Sequence, residues 1–152
     1  MYTKILIPTD GSREAEIAMP HGLDIAEKYG AEVHVLFVVD TDAVDLSLGS
    51  EQVQRIREGR FGEMEELKKM ADTATGRIAD AARAKGITVV ESVVAGIPHK
   101  KIVKYSEEAG IDLVVMACHG RSGVKRLLLG SVTERVLRLA RVPVLVVELA
   151  GE

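Results

Sequence analysis

Five short apolar, β-branched runs, each separated from the next by a longer stretch with helical spacing, limit this chain to few architectures. They are Lys4 to Pro8 (KILIP), Val33 to Val39 (VHVLFVV), Thr88 to Val94 (TVVESVV), Asp112 to Ala117 (DLVVMA) and Val142 to Val147 (VPVLVV). Strands that alternate with helices form βαβ units and a mostly parallel sheet. Near-continuous apolar character in the first, second, fourth and fifth runs implies burial on both faces, as helix-covered parallel strands require. The third alternates more and reads as an edge. The expected fold class is α/β: a single domain over residues 1–152, with an open, doubly wound, five-stranded parallel sheet of order 3-2-1-4-5 and helices on both faces.

Between the first two runs, Ser12 is placed to cap one crossover helix that carries Ala15, Ala18, Met19, Leu23 and Ile25 or Ala26 on its apolar side and ends at Gly30. A second helical pattern holds Met64, Leu67, Ala71, Ala74, Ile78 and Ala82. Pro98 suits the first turn of a helix running to about Ala109 and stopped by Gly110, and Ser131 opens a last helix to about Ala140. Residues 41 to 62, with Gly49, Gly59 and Gly62 among clustered charges, are an excursion with at most a short helix, open to being a lid, a dimer contact or a plain loop.

Composition removes several function classes. A net charge of -3 and two Phe, three Tyr and no Trp offer neither the basic face nor the stacking surface that nucleic-acid binding needs. No apolar run approaches the roughly 20 residues of a membrane helix. Met1 to Lys4 leads straight into the first strand without a basic and then apolar leader, and Cys118 is the one cysteine, which excludes an internal disulfide. A cytoplasmic protein is expected, with no nucleic-acid or membrane partner.

Chemistry concentrates in Met116 to Glu134, MACHGRSGVKRLLLGSVTE, which joins a buried strand to a helix. The free N–H groups of a helix's first turn, with the positive end of its dipole, bind anions without any net basic charge. Gly130 permits close backbone approach, the Ser131 hydroxyl and the Val132 and Thr133 amides are placed to donate to phosphate oxygens, and Lys125 and Arg126 can add charge. Ser131 and Glu134 also have capping-box spacing, which stabilises a helix start with no ligand at all. The first strand ends in Pro8, Thr9, Asp10, Gly11 and Ser12. In the order 3-2-1-4-5 the strand order reverses between strands 1 and 4, where open α/β sheets bind ligands at their carboxyl ends. The two glycine-bearing loops would then face each other across one crevice, although Asp10 is equally suited to be a turn residue or helix cap.

Other chemistries lack their motifs. GxxxxGK[ST], GxGxxG after strand 1 and GxSxG are all missing, and no base is recognisable for Ser12 or Ser131. His21, His34, His99 and His119 lack metal-ligand spacing. Asp10 is the one carboxylate placed to meet a Mg²⁺ or Mn²⁺ carried by a triphosphate, and one carboxylate is not a metal site.

With these residues in place, the sequence resembles the ATP-binding universal stress proteins over nearly its whole length. In the family motif G-2x-G-9x-G-(S/T), the second glycine is Gly120, nine residues follow (RSGVKRLLL), and Gly130-Ser131 completes it. Ala117 stands where the first glycine is expected. PTDGS at Pro8 to Ser12, GIPHKKIV at Gly96 to Val103 and VPVLVV add to the likeness. The resemblance implies ATP, AMP or ADP as ligand, with Asp10 and Val38 near the nucleoside and Pro8, Thr9 and Met116 lining its pocket. It puts Ala117, Gly120 and Arg121 along the ribose and phosphates, and Gly130, Ser131, Val132 and Thr133 at the phosphates. It also implies a homodimer through Val142 to Leu149. The expected function is that of a nucleotide-binding stress-response module. The alternatives are a slow ATPase or phosphoryl-transferring enzyme, and a dimeric scaffold that has lost its nucleotide, as Ala117 would allow.

Overall fold

The computed structural model describes residues 1–41, 54, 65–118 and 129–148. In chain order these form β1 (Lys4–Thr9), α1 (Arg13–Glu16), α2 (Met19–Tyr29), β2 (Glu32–Asp40), α3 (Glu65–Ala84), β3 (Val89–Gly96), α4 (Pro98–Glu108), β4 (Leu113–Ala117), α5 (Ser131–Leu139) and β5 (Val144–Val147). The five strands make one parallel sheet in the order β3-β2-β1-β4-β5, as the alternation of runs and helices predicts. The excursion read at residues 41 to 62 lies almost wholly outside the described residues.

Side chains alternate across the strands, so the sheet carries two cores. On one face Ile5, Ile7, Val33, Val35, Leu113 and Val115 pack under α2 and α3, against Ala18 at the start of α2, Leu23 and Ala26 within it, and Ile78 and Ala82 of α3. On the other, Leu6, Leu36, Val38, Val114 and Met116 meet Ile102 of α4 and Val136 of α5. Burying one such aliphatic side chain contributes about 1.5–3 kcal/mol, so the two clusters fix both helix layers to the sheet. Gly22 of α2 lies against the sheet, where an added Cβ would stand 2.6 Å from Ile7 Cδ1.

Three expectations are corrected. The single crossover helix is two helices, because Pro20, in the first turn of α2, has no N–H to return to Glu16 and its ring crowds that carbonyl. Gly30 does close α2, in the left-handed conformation at φ 66°. The fifth strand, at the edge that the expected order 3-2-1-4-5 gives it, is not buried on both faces: Leu145 is 37% exposed and Val147 buried. Ser131 is the first helical residue of α5 rather than its cap; that place belongs to Gly130. The third run is the other edge, as its alternation indicates. Among the described residues no helix is long and apolar enough to cross a membrane.

Candidate functional site

The strand order reverses between β1 and β4, and their pairing is brief. It runs through Ile5↔Leu113 and Leu6↔Val114 and stops short of Thr9 and Ala117, whereas β1 pairs with β2 along its whole length. Next along β1 comes Pro8, whose ring nitrogen has no hydrogen to give a ladder. The ladder between the two central strands therefore ends before their carboxyl ends, at the place where doubly wound sheets bind ligands.

One wall is the turn after β1. Gly11 takes φ 83°, a left-handed value that favours glycine. The Gly11 amide donates to Thr9 Oγ1 at 3.0 Å and the Ser12 amide to Asp10 Oδ1 at 2.9 Å, while Ser12 Oγ accepts from the Ala15 amide at 3.1 Å and caps α1. Thr9, Asp10 and Ser12 thus use side-chain oxygens to satisfy the backbone of a sharp bend. The turn role open to Asp10 is realised here.

The opposite wall is the start of α5. The Gly130 amide donates to the Cys118 carbonyl at 2.9 Å, and the buried Thr133 hydroxyl donates to the Ala117 carbonyl at 2.9 Å. These two bonds fasten the helix start to the end of β4. Among the described residues no side chain caps α5. The capping box suggested by spacing does not form: the Glu134 carboxylate reaches forward to Arg138 at 2.8 Å instead of back toward the helix start. The amides of Ser131, Val132 and Thr133 therefore occupy a first turn with no intrahelical acceptor and, among the described residues, no side-chain cap, the arrangement that favours an anion.

Between the walls, Val38 and Met116 belong to one buried cluster and Pro8 and Ala117 are buried beside them. His99, at the start of α4, has its pKa lowered first by burial and then by the charges of Arg135 on α5 and Lys100. Burial and then Glu148 push the Cys118 thiol up, so it stays protonated and unreactive at neutral pH. Among the described residues no three His, Cys, Asp or Glu side chains gather as a metal site.

Of the residues singled out from the sequence, Pro8, Thr9, Asp10, Met116, Ala117, Gly130, Ser131, Val132 and Thr133 fall at this edge, and Val38 lies near the carboxyl end of β2. Gly120 and Arg121, with His119, Lys125 and Arg126, lie outside the described residues. The histidines are separate. His34 is buried in a polar chain with Glu32 on one ring nitrogen and Tyr105 Oη, 2.7 Å away, on the other, and Tyr105 reaches Ser92 at 3.1 Å. No local pattern marks that chain, since it joins three elements.

The fold is that of the doubly wound α/β proteins. The universal stress protein family model matches residues 1–148, and the chain belongs to that family. It is 37% identical to universal stress protein MJ0577 of Methanocaldococcus jannaschii, over 97% of this chain and 96% of that one. The solved structure of MJ0577 superposes with a TM-score of 0.84 at 35% identity, covering 100% of this chain and 99% of the other. A solved universal stress protein in complex with cAMP superposes with a TM-score of 0.64 at 25% identity, covering 97% of each chain.

Proposed function

We propose that this protein binds an adenine nucleotide, ATP foremost, in the crevice between β1 and β4, and that occupancy is its signal as a stress-response module. The observation that carries this is the uncapped start of α5, fastened to the end of β4 by the Gly130 and Thr133 bonds. Three backbone amides and a helix dipole suit phosphate oxygens. The Thr133 hydroxyl is committed to Ala117, so its amide faces the ligand and its side chain does not. Pro8, Thr9, Asp10, Val38 and Met116 would border the nucleoside, Ala117 the ribose, and Gly130, Ser131, Val132 and Thr133 the phosphates, with Gly120 and Arg121 supplied from the connecting segment. Any Mg²⁺ or Mn²⁺ would arrive on the triphosphate, met by Asp10. The cAMP complex of a relative supports an adenine nucleotide as the ligand class.

The edge place of β5 among the described strands, with Leu145 37% exposed, supports pairing with a second copy of the chain. Mass analysis of small molecules released from the purified protein, followed by titration of the stripped protein with ATP and Mg²⁺, tests the ligand. Co-purified or tightly bound ATP without phosphate release supports a binding module. Steady ADP production would make it an enzyme, and no uptake at all would leave the scaffold reading.

A further inference from the structure

The turn that carries Asp10 is held from behind by a residue remote in sequence. Arg77, in the middle of α3, directs its guanidinium to two points of the turn and α1. Its Nε is 3.1 Å from Glu16 Oε1, and its Nη2 donates to the Gly11 carbonyl at 3.5 Å. Glu16 Oε1 is shut off from water and takes no directed hydrogen bond, so the nearby Arg77 charge is what compensates it. Side-chain packing does not close this side of the turn. A cleft of about 320 Å³ lies there, bordered by Gly11, Lys69, Met70, Thr73, Ala74 and Arg77. With the Gly11 amide held by Thr9 and its carbonyl by Arg77, a left-handed glycine that could swing into the cleft is fixed at both ends.

We propose that Arg77 is a positioning residue for the nucleoside half of the crevice: it touches no ligand, and it sets the place of Asp10 by bracing Gly11 and α1 from α3. This rests on the nucleotide reading above. Among the described residues, those of α5 and β4 make no hydrogen bond or ion pair with Arg77, so the two halves are expected to respond differently to its loss.

The test compares wild type, Arg77→Ala, Arg77→Lys and Glu16→Gln by amide hydrogen exchange at Gly11 and Ser12, and by titration with ATP, AMP and inorganic tripolyphosphate. Arg77 is half-exposed, which limits the effect to about two- to fivefold. Arg77→Ala is expected to speed exchange at both amides and weaken ATP and AMP by that factor, with tripolyphosphate unchanged. Arg77→Lys restores a charge for Glu16 but not the fork that also reaches Gly11, so it recovers part of the effect. Glu16→Gln, which keeps shape and removes the charge, moves the same readouts in the same direction and serves if Arg77→Ala does not fold. Unchanged exchange, or an equal loss for ATP and tripolyphosphate, would overturn the proposal. A wild-type protein that takes up no nucleotide would instead overturn the binding reading, and Arg77's hold on the turn would be decided by the exchange rates.

Discussion

Thr133 donates its hydroxyl to the carbonyl of Ala117 over 2.9 Å, and both residues are buried. One bond thereby joins the first turn of α5 to the last residue of β4. Thr133→Val keeps the shape but removes the donor, and is expected to cost about 1–2 kcal/mol in urea unfolding, with weaker ATP binding as the helix start relaxes. Thr133→Ser retains the hydroxyl and should recover most of both. Equal stability of the Val and Ser variants would show that the bond does not hold the helix.

Gly130 has φ -62° and ψ 152°, a conformation open to any residue, so the backbone does not require glycine there. Space is the remaining reason. Gly130→Val is expected to abolish nucleotide binding while circular dichroism shows an intact fold, because its side chain would occupy phosphate space. A folded variant with wild-type affinity in calorimetry would sink the site assignment.

Asp112 ties the first strand to the fourth at the amino end of the sheet. Its carboxylate accepts from the Thr3 amide at 2.9 Å, the Thr3 hydroxyl at 2.8 Å and the Lys4 amide at 3.3 Å. Burial pushes its pKa up, but the Thr3 and Lys4 hydrogen bonds together with the N-terminal charge outweigh that and hold it below the ordinary value. A depressed carboxyl pKa adds stability above the unfolded value and loses it as pH falls through the folded one. Asp112→Asn should therefore unfold at lower urea than wild type at pH 7, with the gap closing as the pH falls below the ordinary carboxyl range and through the depressed folded-state value. A gap independent of pH would assign the effect to hydrogen-bond geometry alone.

Gly22→Ala sets helix propensity against packing. Alanine gains about 1 kcal/mol in a helix interior, but its Cβ would meet Ile7 Cδ1 at 2.6 Å and Cγ1 at 3.1 Å in a fully buried cluster. The overlap is expected to win, with a net loss of about 1–2 kcal/mol in denaturant unfolding. A more stable variant would mean that Ile7 repacks without strain.

The sheet was legible because its signal is local. Runs such as VHVLFVV record burial on two faces residue by residue, and the alternation in TVVESVV records an edge. VPVLVV misled about burial, because how far helices cover a strand's two faces depends on the rest of the chain and not on its own residues. The break before α2 had a local mark, Pro20 placed four residues after Glu16, which apolar spacing overrode. At the candidate site, the turn after β1 could be found from residue types at the strand end. The phase of α5 could not, since Gly130 and Ser131 are both acceptable caps and only the direction taken by Glu134 separates them. Arg77 left no trace at all, because its partners Gly11 and Glu16 lie 66 and 61 residues away, 77 less 11 and 77 less 16.

Pro8 sits in a central strand and still pairs with Leu36 on the β2 side, while the β4 ladder has ended before it. The opening between β1 and β4 thus coincides with a nitrogen that can never donate, whatever surrounds it. Side chains along the walls can be exchanged for others of different size or charge without giving the sheet a way to zip closed at that position. A gap underwritten by the main chain leaves the lining free to diversify, so one scaffold can be retuned toward different occupants while its mouth stays where it is.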